Sequence, residues 1–171
     1  MQDFRTLKLL FMKDRHLSID YIEYSSVSEM EPLDQELVQA AIEAQKGSYS
    51  PYSQFQVGAA LRLENGLIIK GANQENVAYP SGLCAERTAM FAAGATYPGV
   101  PMTTLAIVGG FGFTLSETPC TPCGGCRQVM AEYQTAGKRP LSVIMFGTEK
   151  TWKFEKVDDI LPFIFDSFNE K

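Results

Sequence analysis

The sequence predicts an α/β fold, a three-layer α/β/α sandwich with one mixed sheet and helices on both of its faces. Three patterns predict it. Apolar residues recur at helical spacing between residues 33 and 42, and they alternate with other residues from Phe55 to Leu63. Residues 104–146 then read as a strand, a helix and a second strand, which we expect to form a right-handed parallel crossover.

The first half of this domain contains a helix and a hairpin. Pro32 suits the first turn of the helix, and Gly47 suits its end. The alternating segment that follows has the period of a half-buried strand. Asn65-Gly66 then predicts a type I′ hairpin turn, so residues 67–71 are the returning strand.

The second half alternates helices with strands. Pro162 interrupts a short helix that begins at Val157. The remaining predicted elements are an alanine-rich buried helix from Cys84 to about Ala93, a strand over residues 104–108, a helix over about 124–136 and a strand over 141–146.

Residues 1–30 are interpreted as an amino-terminal extension or arm, and residues 31–171 as the domain that carries the chemistry. Within the extension, residues 4–12 and 19–24 are short apolar segments. Each is expected to form a short strand or to pack on the main domain.

The composition excludes several classes of protein. With 171 residues, 45% of them hydrophobic and 20% charged, the chain has the size and core of one globular domain. It has no run of about 18 apolar residues, so we expect no contact with a membrane. A net charge of −5 argues against a nucleic acid partner, which usually selects a basic patch. We expect a cytoplasmic protein, whose reduced thiols favour metal binding over disulfides.

Three of the four cysteines lie in two short motifs that predict a zinc site. Cys84 precedes Glu86 by two residues, and Cys123 and Cys126 follow Pro122 with three-residue spacing. Both motifs fall at predicted helix amino termini, where free N–H groups and the helix dipole stabilise thiolates. Three protein ligands leave one tetrahedral position for water, which is the pattern of a catalytic zinc.

Glu86 is the candidate proton shuttle of this site. A carboxylate beside the metal can take a proton from the activated water, deliver it to the substrate and then protonate the leaving group. Arg87 is placed to offset the negative charge of the thiolates by hydrogen-bonding one of them. The only histidine, His16, is far away in sequence and is not expected to be a ligand.

Other interpretations of the cysteines stay open. A Cys-x-x-Cys pair alone could be a thioredoxin-like redox site, although such a pair does not require Cys84 and Glu86. A structural zinc site could recruit Cys120 as a fourth ligand, but the spacing of Cys120 is unusual for that purpose. A non-catalytic zinc scaffold is a further alternative, and it would have no need of Glu86.

Together with its neighbouring segments, this motif set resembles the cytidine deaminase family, over about residues 33–165. Cytidine-deaminase-like architecture is therefore the expected fold. The matching segments are Ser50 to Ala60, the Asn-x-Glu-Asn run Asn73 to Asn76, Cys84 to Ala89, Pro122 to Gln128, and Leu161-Pro162 with Phe163 and Phe165.

The resemblance implies zinc-dependent hydrolysis of cytidine and 2′-deoxycytidine to uridine and 2′-deoxyuridine, with release of ammonia, in pyrimidine salvage. It also implies a homotetramer whose active sites are shared between subunits. The roles it implies for substrate contacts are these: Asn73 and Glu75 hold the sugar 3′-hydroxyl, Phe55 stacks on the base, the N–H of Ala85 contacts the base carbonyl, and Phe165 closes a neighbouring subunit's site.

The sequence also allows purely structural roles for the residues that the resemblance places at the substrate. Phe55 could be a core residue of its strand, Asn73 and Glu75 could be solvated, and Phe165 could pack in the tail. Among related enzymes, a deaminase of a blasticidin-like antibiotic nucleoside would lack the Asn73-x-Glu75 pair. A nucleotide or polynucleotide deaminase would more often offer a histidine ligand and basic residues, whereas the motifs here offer only Arg87 and Arg127, both expected beside the thiolates.

Overall fold

The structure, a computed structural model, describes residues 13–166. The helices are α1 (Pro32–Gln45), α2 (Ala85–Thr96) and α3 (Gly124–Gly137). The strands are β1 (Ile22–Tyr24), β2 (Phe55–Leu63), β3 (Ile68–Ala72), β4 (Met102–Phe111), β5 (Ser142–Met145) and β6 (Thr151–Phe154). Three single turns of 3₁₀ helix connect them, at Val27–Glu29, Tyr79–Ser81 and Val157–Asp159.

The six strands form one mixed sheet in the order β1-β6-β5-β4-β2-β3. Strands β4 and β5 pair in parallel, and the other neighbours pair antiparallel. Helix α3 connects the parallel pair, because two parallel neighbours need a crossover connection. The predicted strand–helix–strand unit is therefore confirmed, and it brings the amino end of α3 beside the carboxyl end of β4.

Helices cover both faces of the sheet. On one face, α1 buries Leu37, Val38 and Ala41 against strand residues that include Ala60 and Ala106. On the other face, α2 and α3 pack against the residues next to these in sequence, among them Ala59, Leu61, Leu105 and Ile107. Side chains of a strand alternate between its faces, so the same strands serve both cores. The predicted three-layer α/β/α sandwich is confirmed.

The hairpin between β2 and β3 is present, but the predicted type I′ turn is wrong. That turn needs a positive φ at both central residues, whereas only Gly66 of the loop has one, at 86°. Gly66 N donates to Leu63 O at 2.9 Å, and Leu63 N donates to Leu67 O at 2.9 Å. The loop is thus three residues long, and its third residue takes the left-handed conformation that glycine permits.

Part of the amino-terminal extension joins the sheet. Residues 22–24 form β1, which pairs with β6, and the ring of Tyr21 stacks on Phe154 with centroids 5.4 Å apart. Trp152 Nε1 donates to Glu23 Oε2 at 2.7 Å. The short strand β6 was not predicted, and the helix expected at Val157 is a single 3₁₀ turn. Residues 4–12 lie outside the described part of the chain.

Candidate active site

The three predicted zinc ligands lie together. Cys84 is the N-cap of α2, Cys123 is the N-cap of α3, and Cys126 is buried in the first turn of α3. The Sγ atoms of Cys84 and Cys123 are 3.9 Å apart, those of Cys123 and Cys126 are 3.5 Å apart, and all three lie within 4.8 Å of one another. A tetrahedral zinc with Zn–S bonds of about 2.3 Å separates its sulfurs by roughly 3.8 Å. The cluster therefore fits zinc.

Close packing of α2 on the sheet brings Cys84 to this place. A Cβ atom on Gly71 of β3 would lie 2.5 Å from Ala85 O and 2.5 Å from Ala89 N. Only glycine allows the helix backbone to approach the strand so closely at this position. The first turn of α2, with Cys84 and Glu86, is thereby held beside the amino end of α3.

The cluster is built to carry negative charge. A hydrogen bond shared with Cys126 lowers the pKa of Cys84 to about 5 and raises the pKa of Cys126. Arg87 Nη2 also donates to Cys84 Sγ at 3.7 Å, as the sequence predicted. Arg87 Nε is buried and has no hydrogen-bond acceptor among the described residues. The hydrogen bond to Cys84 raises the pKa of Arg87.

Glu86 is almost completely enclosed beside these thiols, with 4% of its surface exposed. Burial raises the pKa of its carboxyl, and the nearby Cys84 charge raises it further. A carboxyl group whose pKa lies above its ordinary value holds a proton more readily, which suits general acid–base chemistry. The predicted role of Glu86 as a proton shuttle stays a prediction, and its position beside the thiols is compatible with it.

Cys120 stays apart from the metal cluster. Its backbone N–H donates to Phe146 O at 3.0 Å, and burial raises the pKa of its thiol to about 12. In residues 13–166, the group of side chains placed to hold a metal consists of Cys84, Cys123 and Cys126. The four-cysteine structural site considered above has no geometric support.

A cavity of about 510 Å³ opens next to Cys84 and Arg87. Its wall includes the predicted sugar residues Asn73 and Glu75. Tyr52 and Tyr79 also line it, with ring centroids 6.3 Å apart in a T-shaped arrangement. The sequence analysis gave these two tyrosines no role. Tyr52 lies within the Ser50–Ala60 segment that resembles the family, and that segment was the available signal.

Asn73 and Glu75 form different sets of hydrogen bonds within the chain. Asn73 Oδ1 accepts from Val57 N at 2.9 Å and from Ser48 Oγ, and its Nδ2 donates to Phe55 O at 2.9 Å. Asn73 thus holds the start of β2 in place. Glu75 is half-buried and accepts through Oε2 from Tyr52 N at 2.9 Å and Ser53 N at 3.2 Å. A hydrogen bond from the Ser53 side chain, followed by those from the two N–H groups, lowers the pKa of Glu75.

The other predicted contacts lie outside the cavity wall. Phe55 is half-buried and makes a T-shaped contact with Phe111, with centroids 4.9 Å apart. Ala85 is the first residue of α2, where N–H groups have no intrahelical acceptor. Phe165 is 64% exposed, and its backbone pairs with the Gln128 side chain.

Arg127 was expected beside the thiolates, but it donates instead to two backbone carbonyls.

No helix among residues 13–166 combines the length and the hydropathy that a membrane span requires.

Comparison with known proteins gives consistent matches. Residues 31–138 match the family model of the cytidine and deoxycytidylate deaminase zinc-binding region. The cytidine deaminase of Halalkalibacterium halodurans is 48% identical over 100 residues, which cover 57% of this chain and 70% of that protein. That of Mycobacterium tuberculosis is 43% identical over 93 residues, which cover 54% of this chain and 65% of the relative.

Solved structures that superimpose on this chain are also cytidine deaminases. The crystal structure of the cytidine deaminase from Burkholderia pseudomallei superimposes with a TM-score of 0.64 at 39% identity, covering 76% of this chain and 97% of that one. The M. tuberculosis cytidine deaminase gives a TM-score of 0.61 at 34% identity, covering 77% and 95%.

Proposed function

Because the chain belongs to the cytidine and deoxycytidylate deaminase family of zinc enzymes, we propose that it hydrolyses cytidine and 2′-deoxycytidine to uridine and 2′-deoxyuridine with release of ammonia. The observation that carries this proposal is the enclosed carboxyl of Glu86 beside three cysteines whose spacing fits zinc. A structural zinc site needs no such carboxyl, so this feature favours an enzyme over a zinc scaffold.

The reaction replaces the amino group at C4 of the cytosine ring by oxygen. Zinc, when held by Cys84, Cys123 and Cys126, supplies Lewis-acid activation of water, whose pKa such ions lower towards about 7. Glu86 takes a proton from the attacking water and delivers it to the ring nitrogen. As the water oxygen bonds to C4, Glu86 takes the second proton from that oxygen and carries it to the amino group, so that the C4–N bond breaks, ammonia leaves and a C4 carbonyl remains. Each transfer regenerates the carboxylate, so one side chain suffices.

Arg87 supports this chemistry through its hydrogen bond to a zinc ligand. Three thiolates donate more negative charge than three histidines would, and that charge opposes the loss of a proton from water. The guanidinium of Arg87 donates to Cys84 Sγ and so withdraws part of the charge. Arg87 is half-buried, so water screens this interaction less than at a fully exposed site.

The nucleoside is proposed to lie in the cavity beside Cys84, with its sugar towards Asn73 and Glu75. Glu75 is half-buried, hydrogen bonds lower the pKa of its carboxyl, and a carboxylate accepts strongly from a sugar hydroxyl. The first-turn N–H of Ala85 is a donor for the base carbonyl, and the ring of Phe55 would stack on the base. Such stacking contributes about 1–3 kcal/mol.

The proposed substrate is a free nucleoside. The sugar end of the cavity carries the anionic Glu75, and a 5′-phosphate would need cationic partners there. Arg87 is directed at a thiol and Arg127 at carbonyl groups. Purified zinc-loaded protein is therefore expected to act on cytidine with a far higher kcat/KM than on cytidine 5′-monophosphate, measured by ultraviolet absorbance. Equal turnover of the two would contradict both the nucleoside assignment and the role of Glu75.

A homotetramer with shared sites is part of the proposal. The support is the exposure of aromatic side chains around the site, with Tyr79 at 78% and Phe165 at 64%. Phe165 does not line the cavity of its own chain. Light scattering should give four chains per particle, and a stable active monomer would contradict this.

Pyrimidine salvage in the reducing cytoplasm is the proposed setting, since the thiol ligands must stay reduced.

A further inference from the structure

The carboxy-terminal tail lies against the helix that carries two of the zinc ligands. Leu161 and Ile164 of the tail pack on the core that α2 and α3 share. Phe163 and Phe165 lie outside the residues of that core and are 87% and 64% exposed. A tail with two inward aliphatic residues and two outward aromatic residues is ordered, yet it presents apolar surface to its surroundings.

Two consecutive residues of α3, directly after Cys126, anchor both ends of this tail. Arg127 Nη1 donates to Ile160 O at 2.9 Å, while its Nε donates to Pro122 O at 3.0 Å. Gln128 Nε2 donates to Phe165 O at 3.0 Å, and Phe165 N donates to Gln128 Oε1 at 3.3 Å. The carboxamide of Gln128 therefore pairs with both backbone groups of one tail residue.

This pairing determines the orientation of the Phe165 backbone relative to α3 as well as its distance from the helix. A carboxamide offers a donor and an acceptor side by side, so it matches a backbone N–H and C=O of the same residue in only one orientation. One end of the tail is held at Ile160 and the other at Phe165, which leaves little freedom for the residues between them. The side-chain direction of Phe165 then follows from Gln128.

We propose that Gln128 is a positioning residue, which holds the tail so that the aromatic side chain of Phe165 is aimed at a nucleoside site in a neighbouring copy of the chain. This inference rests on the proposed function for its catalytic consequence, but not for the docking of the tail. It assigns the Cys-x-x-Cys-Arg-Gln segment a second task besides metal binding, since the same helical turn that supplies Cys126 also orients a substrate contact.

The test uses Gln128→Ala and Gln128→Glu in the full zinc-loaded chain. The alanine removes both hydrogen bonds. The glutamate keeps an acceptor for the Phe165 N–H but loses the donor and places a charge opposite Phe165 O. Glu132→Ala, an exposed position on the same helix, is the matched control. Hydrogen exchange of the peptide that contains residues 161–166 is measured together with kcat and KM for cytidine.

Exchange of the tail is expected to rise by about 10-fold in Gln128→Ala, because two net hydrogen bonds are lost. KM is expected to rise by about 10-fold with kcat little changed, since stacking is lost equally from bound substrate and transition state. Phe165→Ala should give the same rise in KM, and the double variant should add nothing further, because both changes remove one interaction. Zinc content and the control variant should match the unmodified chain.

Two results would overturn the proposal. Unchanged exchange of the tail in Gln128→Ala and Gln128→Glu would mean that Gln128 does not hold it. Faster exchange with unchanged KM, or additive effects of Gln128→Ala and Phe165→Ala, would mean that the pairing stabilises the fold without aiming Phe165. If the unmodified chain fails to deaminate cytidine, the proposed function fails, and the exchange comparison still decides whether Gln128 anchors the tail.

Discussion

Cys126 and Glu86, in the metal-binding half of the site, are 0% and 4% exposed, whereas Tyr79 and Phe165, in the proposed nucleoside-binding half, are 78% and 64% exposed. The first half is built from two helix amino ends packed on the sheet. The second half lies on connecting segments and on the carboxy-terminal tail. One chain thus encloses Glu86 and Cys126 of the first half, with Cys84 half-buried and Cys123 exposed beside them. In the second half Asn73 is buried, but the aromatic side chains of Tyr79 and Phe165 stand at the surface.

This difference predicts how the two halves respond to change. Substitutions in the enclosed half should abolish metal binding or turnover, because nothing outside the chain can replace those groups. Substitutions in the exposed half should weaken substrate binding and leave the chemical step largely intact. The following variants separate the two expectations.

The largest effect is expected for Cys84→Ala. Loss of one of three ligands should remove zinc and reduce turnover of cytidine below detection. Cys120→Ala should keep about one zinc per chain and most of the activity, because Cys120 lies outside the cluster. Metal analysis by mass spectrometry of both purified variants is the measurement. Full zinc in Cys84→Ala, or its loss in Cys120→Ala, would show that the ligand set is wrong.

The second-largest effect is expected for Glu86→Gln, whose kcat should be lower by about 10²–10⁴-fold. The amide has nearly the shape of the carboxyl group but cannot carry a proton between water and substrate. Zinc content and thermal stability are expected to stay near those of the unmodified protein, which distinguishes this variant from Cys84→Ala. Near-normal kcat at full zinc content would assign the proton transfer to another group.

A smaller effect, mainly on KM, is expected for Glu75→Gln. Hydrogen bonds to charged groups contribute about 1.5–3 kcal/mol, so KM for cytidine should rise by about 10–100-fold. Glu132→Gln, on an exposed face of α3, is the charge-matched control. Since hydrogen bonds from Ser53 and the neighbouring N–H groups lower the pKa of Glu75, its carboxylate stays ionised as pH falls to its ordinary pKa. KM should therefore be flat between about pH 5 and 8. A loss confined to kcat would contradict a binding role.

The enclosed half was also the more predictable from sequence, for a physical reason. Cys84, Glu86, Cys123 and Cys126 lie within a few residues of predicted helix starts, and the geometry of a helix end determines where such side chains point. The sheet then needs only to bring two helix ends together. Strand alternation and the crossover rule made that arrangement predictable as well.

The remaining features depend on contacts that no local pattern encodes. The strand β6 has four residues and becomes a strand by pairing with β5 on one side and β1 on the other. The β2–β3 turn depends on the length of the loop, which the Asn65-Gly66 pair alone does not determine. The hydrogen bonds of Asn73 to the start of β2 join residues that are 16 and 18 positions apart. Such long-range bonds appear only when the chain has folded.

The central claim is that the three-cysteine cluster and Glu86 of this chain hydrolyse cytidine with the help of one zinc. Its most direct test is to titrate zinc into metal-free protein under reducing conditions and to measure ammonia release from cytidine at each step. We predict that the rate rises linearly, reaches its maximum at about one zinc per chain, and is matched by an equal yield of uridine. Fully zinc-loaded protein that releases no ammonia, or metal-free protein that releases it at the same rate, would contradict the claim.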